Sequence, residues 1–121
     1  MSFVKQSNAN AAASIINRLQ KRNMEGYFCE TSKEAVEKAL SLMPEGSVIS
    51  WGGSMSISEC GLMDAIHEKD YTLIDRMTAN TPQEKREIYA KTVMADYYLM
   101  STNAITMDGE LVNIDGFCNR V

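Results

Sequence analysis

The residues of this 121-residue chain best suited to chemistry gather in two places. The first is the run Gly52-Gly53-Ser54-Met55-Ser56, with Glu59 shortly after it. Adjacent glycines let a backbone turn tightly and approach a ligand closely. A helix starting there would aim its unpaired N–H groups at the guest, and an anion suits them. Ser54 and Ser56 add hydroxyl donors, so a carboxylate or a phosphate is the natural ligand. The run is not a G-x-G-x-x-G motif, and no Lys-Ser or Lys-Thr pair completes a phosphate-binding Walker loop. The same residues therefore also read as a plain turn, with Ser56 as the helix cap. The second place lies near the chain end, at Asn103 and then at Asp115, Asn119 and Arg120. Arg120 offers the planar fork that grips a carboxylate or phosphate through two bonds, or it is a solvated arginine at the end of the chain.

Glu59 has two readings. With Ser56 it has the spacing of a capping box, which explains it structurally. A carboxylate near strand ends also suits a general base or nucleophile, so Glu59 is the weak catalytic candidate, and the catalytic residues stay unknown. Asp75 and Arg76 follow a strand directly and read either as a ribose-binding position or as a surface ion pair or helix-side turn. His67 is the only histidine and reads as an exposed residue at a helix end, so a zinc site or a Ser-His-Asp triad lacks material. Cys29, Cys60 and Cys118 show no C-x-x-C spacing and read as small, reduced thiols. No recognisable motif encodes a cofactor, and no metal ligand set is expected.

These residues need elements to position them. A helix is expected over residues 3–23, where Ala9, Ala12, Ile15, Ile16 and Leu19 recur at helical spacing. Tyr27-Phe28-Cys29 is a candidate first strand. Thr31 and Glu34 then form a capping box for a helix carrying Val36, Ala39, Leu40 and Met43. Val48-Ile49-Ser50-Trp51 is the best strand and leads straight into the glycine loop. One helix is expected to start at Ser56 and end near residues 67–69, followed by a strand at 71–74. Thr81-Pro82-Gln83-Glu84 combines a cap, Pro at the first helical position and Glu at the third. Residues 97–100 form a further strand. Asp108-Gly109 turns a hairpin between 105–106 and 111–113, and Asp115-Gly116 offers a second turn. Short strands alternating with longer helices require crossovers. The expected fold is α/β with a mainly parallel sheet and a C-terminal β-hairpin. Ligands bind beyond the carboxyl ends of such strands, where the loops at 52–56, 75–76 and 101–104 should converge.

Composition narrows the function further. Sixteen acidic residues against 12 basic ones give a formal net charge of -4. Without a Lys/Arg stripe to neutralise phosphates, a nucleic-acid partner is not expected. Apolar residues make up 45%, which is enough for one core, yet no run of 18 apolar residues could span a membrane. The N-terminus does not read as a signal peptide, and a cytoplasmic location is expected.

Three stretches taken together resemble a known family. They are Gly52-Gly53-Ser54-Met55-Ser56-Ile57-Ser58-Glu59-Cys60-Gly61-Leu62, then Thr81-Pro82-Gln83-Glu84-Lys85-Arg86, and the long run from Ser101-Thr102-Asn103-Ala104 through Met107-Asp108-Gly109-Glu110 to Asp115-Gly116. They resemble the LUD domain of bacterial lactate-utilisation proteins, over roughly residues 5–121. The resemblance implies an α/β fold similar to the sugar-phosphate isomerase and CoA-transferase superfamily. It implies a part in oxidising L-lactate to pyruvate beside an iron–sulfur protein partner, with a small carboxylate or phosphate-bearing ligand. The alternative it carries is a non-catalytic subunit that binds the iron–sulfur oxidoreductase complex. The clustered cysteines such complexes need are not in this chain, so any electron-transfer centre belongs to another protein. Family domains run longer, so residues 1–121 are expected to be one truncated domain, the N-terminal portion, that self-associates through an uncovered edge or face. Phe117 and Cys118 stand where the family has a small residue and glycine before its Asn-Arg pair, a departure expected either to narrow the pocket or to change the backbone turn. The resemblance points to Gly52, Gly53, Ser54, Glu59, Asn103 and the segment from Asp115 to Arg120, without supplying their chemistry.

Overall fold

The computed structural model describes residues 3–114. They fall into two compact units. One is built from the two chain ends, up to Ala35 and from Thr102 on; the other is Val36–Ser101. In chain order the elements are α1 (Phe3–Gln20), α2 (Ser32–Leu42), β1 (Val48–Trp51), α3 (Met55–Glu59), α4 (Leu62–Glu68) and β2 (Thr72–Ile74). A 3-10 turn (Arg76–Thr78), α5 (Pro82–Val93), β3 (Tyr97–Leu99), β4 (Ala104–Ile105) and β5 (Leu111–Val112) complete them.

In the central unit β1 lies between β2 and β3, and both pairings are parallel. Ile49 sits opposite Leu73 on one side and Tyr97 on the other. Successive strand residues face opposite sides of a sheet, so Ile49 and Ser50 reveal what covers each face. Ile49 is fully buried, and it packs in one cluster with Met43 and with Ile57, Leu62 and Ile66 of α3 and α4. Val36, Ala39 and Leu40 of α2 pack against the same cluster. Ser50 points the other way. Its Oγ donates to the Ile74 carbonyl at 3.1 Å and lies 3.2 Å from Thr92 Oγ1 of α5. The α3–α4 pair therefore covers one face and α5 the other. A fully buried Ile such as Ile49 contributes about 1.5–3 kcal/mol to folding.

Local chemistry sets the element ends. Thr81 Oγ1 accepts the Glu84 N–H at 3.1 Å while the Glu84 carboxylate accepts the Thr81 N–H, which is the expected capping box. Two expectations are corrected. The single helix from Ser56 is two short helices, because Gly61 adopts φ 93°, a left-handed conformation that ends one helix and starts the next. Its cap is Ser54, whose Oγ accepts the Ile57 N–H, and not Ser56. The second correction is Tyr27-Phe28-Cys29, which is not a strand. Tyr27 and Phe28 stay about half exposed, and three apolar residues without a ladder partner do not hold an extended pairing.

In the unit built from the chain ends, β4 and β5 pair antiparallel through the expected turn at Asp108-Gly109. Arg18 Nη1 bonds the Asp108 carboxylate at 2.9 Å and Arg22 Nη1 its carbonyl at 2.7 Å, tying this turn to the last part of α1.

Candidate functional site

The sheet order fixes where a ligand can enter. The chain leaves β1 toward the face covered by α3 and α4, and leaves β2 toward the face covered by α5. Neighbouring parallel strands whose exits diverge open a crevice between their carboxyl ends. That crevice exists here, with a volume of about 190 Å³. Trp51, Gly52, Gly53 and Ser54 contribute one wall from the end of β1, and Arg76 and Met77 contribute the opposite wall from the turn after β2. Ser58 of α3 and Met63 of α4 close it.

The two glycines are needed for close approach and not for an unusual backbone, because neither has a positive φ. A Cβ at Gly52 would lie 2.9 Å from Tyr98 Oη, and one at Gly53 would lie 2.8 Å from Arg76 Nη2. The Arg76 guanidinium thus lies directly on the Gly53 backbone. Among the described residues it makes no hydrogen bond or ion pair. Asp75, just before it, spends Oδ1 on the Met77 N–H at 2.9 Å and so anchors the turn that carries Arg76.

Ser54 binds the loop together. Its Oγ is 2.9 Å from Ser101 Oγ, beyond β3, and it also caps α3. A hydroxyl has one donor and two acceptor sites, so one remains for a ligand. The loops after all three strands meet in this way, Arg76 against Gly53 and Ser101 against Ser54. Trp51 is braced from behind by the ring of His67, edge-on with centroids 5.9 Å apart. His67 is exposed and bonded through Nδ1 to the Met63 carbonyl oxygen at 2.7 Å.

A model of the LUD domain matches residues 12–121. The chain belongs to the LUD-domain family. It is thereby a lactate-utilisation-associated protein, with the α/β architecture described above. No curated protein and no solved structure matches it.

Within this LUD domain the sequence-selected residues separate. Gly52, Gly53 and Ser54 line the crevice, while Ser56 and Glu59 are exposed on α3 and do not. Glu59 makes no capping box, since the cap lies two residues earlier than its spacing requires. Asn103 belongs to the hairpin unit, where its Oδ1 accepts the Ile114 N–H at 2.9 Å. Asp115, Asn119 and Arg120 lie outside the described residues. Sequence reasoning placed Arg76 at this rim without giving it the anion-binding role, and it did not single out Trp51, Met63 or Met77. The available signal was position, since Arg76 follows β2 as the glycine loop follows β1. Among the described residues, no group of three or more His, Cys, Asp or Glu side chains could hold a metal ion. No described helix is long and apolar enough to cross a membrane.

Proposed function

We propose that this LUD domain binds a small carboxylate in the crevice between β1 and β2, as part of L-lactate oxidation to pyruvate. The observation that carries the reading is the unpaired Arg76 guanidinium lying on Gly53 inside the crevice. A guanidinium fork matches a carboxylate through two parallel bonds. Trp51, Met63 and Met77 give the same space apolar surface, which suits a short carbon body behind the acid group. Size separates ligand classes. At about 190 Å³ the crevice falls below the ~300–1,000 Å³ common for drug-sized ligands, so a two- to four-carbon acid fits better than a nucleotide or CoA. Inorganic phosphate shares the charge chemistry but leaves the apolar wall unused. The electrons of lactate oxidation would pass to an iron–sulfur partner protein.

Trp51 is the chain's one tryptophan and lines the crevice, so its fluorescence reports binding directly. Titration with L-lactate, pyruvate, acetate and inorganic phosphate tests the reading. We expect saturable quenching by the acids, and affinity at least about tenfold lower in Arg76→Gln, because hydrogen bonds to charged groups contribute about 1.5–3 kcal/mol. Unchanged fluorescence and unchanged amide NMR shifts at Gly52, Gly53 and Arg76 for all four compounds would overturn it.

The second reading is a non-catalytic subunit that docks a partner protein at this rim. Met77, 80% exposed at the crevice, favours it, because methionine adapts to varied surfaces.

A further inference from the structure

The Arg76 crevice uses only the carboxyl end of β2 and leaves its outer edge without a role. Among the described residues β2 is an outer strand of the sheet, bonded to β1 alone. In a parallel ladder the N–H and C=O of alternate residues point to the same neighbour. The Thr72 N–H donates to the Ser47 carbonyl at 3.0 Å, so Thr72 and Ile74 face β1. The N–H and C=O of Leu73 therefore point away from the sheet. Beside this edge lies a second cavity, of about 530 Å³, between the sheet and α5. Val48, Ile74, Ile88 and Met94 give it an apolar wall, and Met94 is 80% exposed. The cavity also carries one cation, Lys91, and one carboxylate, Asp75. The two are not paired with each other, since the ion pair found among the described residues joins Arg18 and Asp108.

We propose that this edge is the interface of a homodimer, in which the β2 strands of two copies pair antiparallel about a two-fold axis. The free groups are self-complementary. One outward-facing residue with both a donor and an acceptor satisfies its own counterpart across a two-fold, so Leu73 exchanges both bonds with the second copy's Leu73. Lys91 of each copy meets Asp75 of the other, and the opposite charges are satisfied twice. The apolar walls close over one another, and Met94 loses its exposure to water. A long, flat edge would aggregate. A three-residue edge with a single outward residue closes at two copies instead. The two cavities share no lining residue, although Asp75 also anchors the turn that carries Arg76, and the proposal stands whether or not the crevice binds an acid.

Light scattering across a concentration series measures the mass of the full chain. The expected result is twice the 13.5 kDa of the single chain. Leu73→Pro removes the outward N–H, which an edge strand tolerates when that donor faces away from the sheet, and it also removes a side chain packed against the core. It should give the single-chain mass with unchanged circular dichroism and a lowered melting temperature, and Leu73→Ala, which makes the same packing loss but keeps the N–H, should still double its mass. Should the proline variant fail to fold, charge exchange decides. Lys91→Glu and Asp75→Lys should each weaken association at least tenfold, and an equimolar mixture of the two should restore it, because opposite charges then meet at both ends of the interface. A wild-type chain that stays single at millimolar concentration overturns the proposal. So does a folded Leu73→Pro variant that still doubles its mass, or a mixture no tighter than its components.

Discussion

Replacing Gly52 and Gly53 by alanine, one at a time, separates folding from binding at adjacent positions. Neither glycine has a positive φ, so backbone strain is the same small quantity in both variants, and only the neighbour of the new methyl differs. At Gly52 the neighbour is the hydroxyl of Tyr98, a rigid side chain on β3 that must retreat by about half an ångström to reach ordinary contact. Overpacking of this kind costs about 1–3 kcal/mol. Alanine recovers about 0.4–1 kcal/mol by restricting the unfolded chain, leaving a net loss of roughly 0–2.6 kcal/mol, about 1.3 at the middle of the ranges. The melting temperature should fall by several degrees, given about 4–8 °C per kcal/mol in domains of 60–100 residues. At Gly53 the neighbour is the tip of Arg76, which swings away along a flexible stem. Gly53→Ala should therefore keep its stability or gain up to about 1 kcal/mol from the restricted unfolded chain. It should still lose about tenfold in affinity for pyruvate, a change of about 1.4 kcal/mol, because the guanidinium no longer lies on the loop. Urea denaturation and Trp51 fluorescence titration measure both quantities on the same samples. Equal destabilisation by the two variants, or full pyruvate affinity in Gly53→Ala, would refute the assignment of one glycine to packing and the other to the site.

Two further outcomes follow from the core and from an ionisable side chain. Ile66→Ala should lower stability by about 2–5 kcal/mol and Ile66→Val by about 0.5–1.5, because Ile66 is fully buried; equilibrium unfolding checks the ratio. Tyr71 donates its hydroxyl to the Met43 carbonyl at 2.7 Å, and burial, helped by Glu45 and Tyr97, raises its pKa. A raised folded value means stability held below the unfolded pKa of about 10 and lost as pH rises through the folded one. Unfolding curves of wild type should therefore weaken at alkaline pH, and those of Tyr71→Phe should weaken less.

The sequence made the parallel sheet legible because its three strands carry their own punctuation. Val48-Ile49-Ser50-Trp51 is β-branched and apolar, and it runs into two glycines. Thr81-Pro82-Gln83-Glu84 starts a helix by chemistry that needs no tertiary partner. The hairpin was legible for the same reason, at Asp108-Gly109. What failed depends on partners. A short apolar run such as Tyr27-Phe28-Cys29 becomes a strand only if a ladder exists beside it, and local pattern contains no such information. The cap of α3 slipped by two residues because Ser54, Ser56 and Ser58 all suit the role. Only Ser101, far along the chain, favours Ser54, by bonding its hydroxyl. Gly61 falls inside the helix expected from Ser56 to residues 67–69, and its left-handed backbone divides that helix.

The same distinction explains why the source of positive potential at the site shifted. The sequence suggested that a helix start would attract the anion. Observed α3 is five residues long, and Ser54 already takes one of its first N–H groups. A macrodipole grows from aligned peptide units over several turns, so a single turn supplies little. Arg76 brings a full charge to the same place, and its arrival is a consequence of topology. Because α3 and α4 lie on one face and α5 on the other, the chain must leave β1 and β2 in opposite directions, and the first residues after β2 are left flanking the gap. Asp75 then fixes the turn through the Met77 N–H. The missing side chain of Gly53 leaves room for the guanidinium, which a residue with a Cβ would displace. In the proposed carboxylate site the glycine loop and the arginine are thus two halves of one device, contributed by adjacent strands and assembled only when the sheet forms.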